Sequence, residues 1–425
     1  MSHQVPDSTA AQTATAPHER IAGVDVARAL AVFGMFTVHL GVGSIGLVGG
    51  DPAEAFHTLT RGNSSALFAF LAGVSLALMT GRGVPLSGTP LSRAAGRILV
   101  RAVALALLGG ALDLLDAPVA VILTYYGGYF VLALPLLRLR ARALMVTAAI
   151  IGVVGPQASF VGRSLFIEGT TVREGSISGI ADFLATGYYP ACTFMAFVVA
   201  GMAVGRLDLR SPRVRGWLAG AGAVLSALGY AGSWVLLYPL GGLDRLMGVE
   251  LRGVGGEDPS TMDPSLRDPM RRWMAERLHD LHGEVPTDSA WWLLVATPHS
   301  GTSFEIAGAI GTSLLVLTGC MALADIAGAV LRPLAAAGAM ALTIYAGHIV
   351  VIAWLGASAQ DFAPFRLEAF VAGSLVFAMV WQAVFGRGPL ERVLGWLADG
   401  AVKLAGLPDE EDRDPPGPGS ERRVG

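Results

Sequence analysis

"GVDVARALAVFGMFTVHLG", residues 23–41, decides how this chain is read. The stretch is nearly all apolar and about as long as a helix that crosses the hydrocarbon core of a bilayer, yet it carries Asp25, Arg28 and His39. At about 100° per residue, Arg28 and His39 fall within about 20° of each other around the axis, and Asp25 lies about 60° from Arg28. All three share one face. At about 1.5 Å per residue the polar stripe runs roughly 16 Å from Arg28 to His39, with Val32 and Met35 between. A charge at the centre of a membrane helix costs about 2.5–3.5 kcal/mol. Asp25 and Arg28 offset much of that by pairing at i,i+3, so a structural ion pair stands beside a functional reading of them. His39 has no such local partner.

The rest of the 425 residues agrees with a bilayer as solvent, being 53% hydrophobic and only 15% charged, outside the usage of soluble domains. Runs of about 20 apolar residues predict an all-α polytopic membrane protein of about ten transmembrane helices, eleven at most. The spans fall near 21–43, 62–80, 97–115, 118–137, 142–160, 182–204, 214–238, 302–324, 333–356 and 367–386. Such runs do not alternate, which excludes a transmembrane barrel. The 55 glycines and Ala-rich runs such as "LAAAGAMALTIYAG" (334–347) suit close helix packing in lipid. Residues 1–20 and 405–425 are expected to be disordered cytoplasmic tails around a transmembrane domain of 21–404. The first lacks the apolar core of a cleaved signal peptide.

Short-loop arginines mark the cytoplasmic side. They gather at 81–101, 138–142 and 206–215, which places both termini in the cytoplasm of a multi-pass plasma-membrane protein. Residues 239–292 then form a polar extracytoplasmic loop, with an amphipathic helix expected within 264–283. His3 and His18 belong to the inner tail, and the other six histidines face outward. His57 sits in the first outer loop, His299 at the start of the eighth span with Glu305 about one turn inside, and His348 in the outer half of the ninth span with Tyr345 a turn below.

A lone membrane histidine is commonly a hydrogen-bonded packing residue. Four at similar depth on different helices supply the neutral-pH proton acceptor that general-base chemistry requires. A net charge of −3 argues against a nucleic-acid partner. Cys192 and Cys320 lie in separate spans and support neither a disulfide nor a thiolate site. Glu276, His279 and His282 lie within two turns of one helix with no remote ligand, so no metal is expected.

"RIAGVDVARALAVFGMFTVHLG" (20–41) resembles the first-helix signature of the YeiB-like and heparan-α-glucosaminide N-acetyltransferase superfamily of transmembrane acyltransferases. Its Arg, ten residues, His spacing is also that of the related type-3 membrane acyltransferases. The likeness extends to "FHTLTRGNSSALFAFLAGVSLAL" (56–78), and "FGRGPLERVLGWL" (385–397) is similar to the Gly-Pro-Leu-Glu ending of YeiB-like proteins. The resemblance implies transfer of an acyl group, acetyl first among them, from cytosolic acyl-CoA to a hydroxyl or amine of an extracytoplasmic acceptor, a glycan being one candidate. By position Arg28 and His39 match the type-3 pair. His57 falls where the lysosomal enzymes carry a catalytic histidine, and His39 where they have asparagine. Ala29 stands where the family has Gly, and "RAAGRILVR" (93–101) spaces its arginines differently from the Arg-x-x-Arg of the family's third helix.

Residues and resemblance together nominate His39 and His57 as catalytic, with His299, Glu305, Tyr345 and His348 supporting the acceptor site. Asp25, Arg28, Arg93, Arg97 and Arg101 are the candidates for holding acyl-CoA, although Arg93, Arg97 and Arg101 also serve to set topology. No Gly-x-Ser-x-Gly elbow occurs, so a Ser or Cys acyl-enzyme is not expected, nor is a metal cofactor. Membrane lipid, acyl-CoA, the acceptor and a second copy of the chain are the partners considered. The competing reading is a transporter or lipid-binding membrane protein whose intramembrane His, Asp and Arg line a substrate or proton path. A third is a family member that keeps the fold without the activity.

Overall fold

The computed structural model describes residues 21–44, 50–166, 179–253, 255, 258–279, 281, 283–356 and 365–406. The expected tails at 1–20 and 407–425, with His3 and His18, lie outside the described residues, as does His282. Among the described residues every regular element is helical. In chain order they are α1 (Ala22–Leu40), α2 (Gly50–Thr60), α3 (Asn63–Met79), α4 (Gly88–Asp113), α5 (Leu123–Ala133), α6 (Ala141–Phe166), α7 (Ala191–Gly205) and α8 (Pro212–Ser226). There follow α9 (Gly232–Leu237), α10 (Gly242–Gly253), α11 (Pro264–Leu278), α12 (Ser303–Ala327), α13 (Arg332–Ala339), α14 (Ala341–Leu355), α15 (Arg366–Phe385) and α16 (Pro389–Leu404).

Among the described residues seven helical stretches are long and apolar enough to cross a membrane, and an eighth is the pair α13–α14 if its 80° bend counts as one broken span. The expected spans at 118–137 and 182–204 appear as shorter helices, α5 continued by a 3-10 turn at Leu134–Arg138, and α7. The expected outer loop around His57 is helical: α2 runs into α3, and Ala55–Met79 counts as one apolar stretch. An amphipathic helix does form within 264–283, as α11, capped by the Asp263 carboxylate on Ser265 N–H.

α1 is the axle of the bundle. Val24, Ala27, Ala31, Val32 and Phe36 are all at most 2% exposed, as expected of a largely apolar helix buried in the middle of a bundle. It packs on α3, α12 and α13. Small residues set the closest approaches: a Cβ on Gly73 of α3 would lie 1.9 Å from the Val198 carbonyl oxygen of α7, and one on Gly201 of α7 would lie 1.8 Å from that of Phe70 on α3. The two helices thus meet backbone to backbone, the packing that lipid favours because it offers no hydrophobic drive between helices. α10, α11 and the 3-10 turn Ala290–Leu294 pack around Leu246, Met274, Leu278 and Trp292 in a small core of their own. This layer sits at the end where α12 begins, its 3-10 turn packing on that helix.

Two side chains hold the opposite end together. Arg206, 3% exposed, donates to the carbonyls of Ala77, Thr80, Arg82 and Leu137 and to the Thr80 hydroxyl at 2.7–3.1 Å. It therefore satisfies the carbonyls left open where α3 and the turn after α5 end. Glu391, the last residue of the Gly-Pro-Leu-Glu stretch, accepts from the N–H of Leu342 at 2.9 Å and of Thr343 at 3.1 Å, and from the Thr343 hydroxyl at 2.6 Å. Its carboxylate thus caps the N-terminus of α14, where the bend leaves amides unpaired and the helix dipole is positive. Glu391→Ala is expected to cost about 0.5–2 kcal/mol and to speed amide exchange at Leu342 and Thr343, while Glu391→Gln, which keeps an acceptor, loses less. Hydrogen exchange read by mass spectrometry checks both.

Candidate active site

The stripe of α1 faces into the bundle. Asp25 is 7% exposed and pairs with Arg28 at 2.5 Å, and Arg28 Nη2 reaches the Ser75 hydroxyl of α3 at 2.7 Å. A Cβ on Gly338 of α13 would lie 1.7 Å from the Asp25 carbonyl oxygen, so α13 can lean on α1 at this level only through a glycine. The pairing expected from spacing therefore forms, and α3 extends it.

At the other end of the stripe His39 meets His348. His39 Nδ1 lies 2.9 Å from His348 Nε2, and the Nδ1 of His348, a residue 3% exposed, bonds the Tyr345 carbonyl oxygen. A carbonyl can only accept, so His348 Nδ1 carries its proton. In the neutral ring Nε2 is then the acceptor, and it accepts a hydrogen bond from His39 Nδ1–H. The chain of bonds leaves His39 Nε2 with a lone pair. A base whose second nitrogen is oriented by a hydrogen bond is the arrangement proton abstraction uses.

The histidines join a belt of rings. Tyr345 touches His348 at 5.1 Å between centroids, Phe68 touches Tyr345 at 6.1 Å and Tyr126 at 5.2 Å, and Tyr126 leads through Tyr129, Tyr125 and Tyr189 to His299. Two of its hydroxyls are tied to the backbone: that of Tyr345 accepts from Ile122 N–H at 3.2 Å, and that of Tyr129 donates to the Tyr189 carbonyl. The Tyr126 hydroxyl is buried with no hydrogen-bond partner among the described residues. Such a group asks for an explanation, and a donor kept for a reacting atom is one.

His299 and Glu305 make a separate turn. Glu305 accepts from the N–H of His299 at 2.6 Å and of Gly301 at 2.5 Å, and from the Ser300 hydroxyl at 3.2 Å. His299 is held there with φ +60, an uncommon backbone state for a residue other than glycine. Glu305 also lines a cleft of about 680 Å³ under the α10–α11 layer, together with Thr58, Arg61, Asn63, Tyr230 and His279. Tyr230 stands in a π-helical turn at Ala227–Ala231; its ring lies where a Cβ of Gly308 would be, and its hydroxyl donates to Asn63 Oδ1 at 2.9 Å.

His57, half-buried on α2, stands next to Thr58 of that cleft. Among the described residues no hydrogen bond or ring contact joins it to His39. Thr37 and Thr60 join α1 to α2 through hydroxyls 2.6 Å apart, and Thr37 and His39 are about 200° apart around α1. His39 and His57 thus stand on different flanks of α1, a separation that residue depth alone does not reveal, while the belt reaches the cleft through His299, whose N–H bonds the Glu305 that lines it.

The arginines of α4 are engaged or enclosed. Arg97 pairs with Asp399 of α16 at 2.9 Å, Arg101 lies against the Met79 sulfur, and Arg93 is 9% exposed with Nε unpartnered among the described residues. A second basic surface is a cleft of about 550 Å³ lined by Ser92, Arg138 and Arg140. Tyr126, Tyr230, Asn63 and Arg140 all escape a search for charged residues in apolar runs, since tyrosine and asparagine give no signal there and the arginines read as topology markers.

Residues 20–240, from the start of α1 to the end of α9, match the model of one protein family, described as heparan-alpha-glucosaminide N-acetyltransferase, catalytic. No curated protein matches the chain.

Proposed function

The chain belongs to the heparan-α-glucosaminide N-acetyltransferase catalytic family, and from that premise we propose that it is a transmembrane acetyltransferase that uses cytosolic acetyl-CoA to acylate an amine or hydroxyl presented outside the cell, with His39 Nε2 as the base. The observation that carries the reading is the bond series from the Tyr345 carbonyl through His348 to His39, which leaves one nitrogen basic. In this reading α5 and α7 complete about ten spans, both termini are cytoplasmic, and the ring belt lies in the extracytoplasmic half.

As the acceptor attacks the thioester carbonyl, its proton passes to His39 Nε2. The new C–N or C–O bond forms, the C–S bond breaks, and CoA leaves as its thiol once the proton is returned to sulfur. Charge grows on the carbonyl oxygen during the attack, and the unpartnered Tyr126 hydroxyl is the donor for it; preorganised donors of this kind often supply the largest part of catalysis. His348 and Tyr345 position His39. The pantetheine arm follows the stripe past Asp25, Arg28 and Ser75, and Arg93, Arg138 and Arg140 attract the CoA phosphates, a task suited to guanidinium forks. The cleft at Asn63 and Tyr230 admits the acceptor, with His57 at its edge. No step calls for a covalent acyl-histidine.

Purified protein with acetyl-CoA and glucosamine as the test acceptor should release CoA thiol, and acetyl-CoA alone should raise its unfolding temperature. If neither occurs, the transfer reading fails. A transporter of unrelated solutes would not respond to CoA.

A further inference from the structure

On the outer flank of His348, away from the ring belt, α14 and α15 leave a groove of about 500 Å³ between them. Val351, Leu355, Phe370 and Phe377 line its length, and Arg366 and His348 are its charged or titratable members. Val351 is 40% and Phe377 37% exposed, on helices that belong to the apolar, membrane-crossing set, so the groove opens sideways to lipid. From Arg366 to Phe377 it spans eleven residues of α15, roughly 16 Å at the helical rise, about half of a hydrocarbon core and hence the depth of one leaflet.

The glycines of the groove separate it from ordinary packing. In a membrane bundle glycine usually lets a neighbouring backbone approach, as Gly73 and Gly201 do. A Cβ on Gly347 or Gly373 would meet nothing within 4 Å, and both residues line the groove from facing helices. They hollow out space that no part of the described chain fills. At the mouth Arg366 is fixed by donating to the Leu40 carbonyl through Nε at 2.9 Å and Nη2 at 2.5 Å, which holds its positive charge at one end of the groove.

We propose that this groove binds one acyl chain of an anionic phospholipid of the outer leaflet, with the phosphate at Arg366 and the chain running down past His348 to Gly373. An apolar slot of one-leaflet depth with a cation at its mouth matches that ligand in shape and charge. The site presents lipid directly to the outer edge of the histidine pair. It does not depend on the acyl-transfer reading, because occupancy is read without turnover.

The full chain in nanodiscs containing phosphatidylglycerol with a photoactivatable acyl chain tests it, with adducts mapped by peptide mass spectrometry. Adducts should concentrate on α14 and α15 and fall about tenfold in Gly373→Leu, which fills the groove at a helical position where leucine is favoured by propensity. Gly319→Leu, at an exposed α12 position where a Cβ also meets open space, should leave them unchanged. Equal labelling of α14–α15 in wild type and Gly373→Leu overturns the proposal. So does displacement of the label by a long-chain acyl-CoA but not by unlabelled phosphatidylglycerol, which would assign the groove to the donor's chain.

Discussion

His39→Ala lowers kcat for acetyl transfer by about 10²–10⁴-fold, the usual contribution of a positioned general base, while acetyl-CoA still raises the unfolding temperature. The expectation follows from the lone pair that the bond series leaves on His39 Nε2. His348→Ala loses less, since it removes the partner that orients the base and leaves the base itself. His348→Gln recovers part of that loss, because its amide oxygen can accept from His39 Nδ1. A protonated imidazole has no lone pair to offer, so kcat should rise with pH through the range in which the imidazole deprotonates and fall towards acid. Normal turnover in His39→Ala would show the pair to be packing only. Loss in His57→Ala with normal His39→Ala would move the chemistry to the cleft. Tyr126→Phe gives an independent reading: it should lower kcat with little change in KM, the mark of an interaction made in the transition state.

Arg206→Ala is expected to destabilise the protein by several kcal/mol, since each buried carbonyl left without its donor costs about 1–3 kcal/mol. The substitution would orphan carbonyls at the ends of α3 and of the turn after α5 and leave a void where α7 meets them. Arg206→Lys keeps the charge but reaches fewer of the five acceptors, so it should fall between alanine and wild type. Reaction of Cys192 and Cys320 with a thiol probe during heating reports the loss, since Cys320 is buried and Cys192 partly so in the folded chain. A change in unfolding temperature within error of wild type would refute the staple. Catalytic constants of the folded fraction should hardly move, which separates this effect from that of His39.

Much of the bundle is legible in the chain because lipid imposes simple rules. Apolar length marks a span, and charge within it marks a reason. The stretch at 23–41 thus announces a buried helix whose Asp25 and Arg28 pair at i,i+3, a local geometry that needs no knowledge of the fold, and the family signature is carried by the same residues. Tertiary structure decided the rest. His39 and His348 are 309 positions apart, and only the bend between α13 and α14, braced by Glu391, brings them to hydrogen-bonding distance. Depth in the membrane placed His57 beside them, but azimuth around α1 puts it on another flank, and azimuth between helices is set by packing. Arg206 reads in the chain like any topology-setting arginine, whereas its caged role depends on three helix ends converging. Spacing along one helix fixes angle and rise through the backbone; which helices face each other follows from the fit of small residues such as Gly73, Gly201 and Gly338, and that information exists only once the chain has folded.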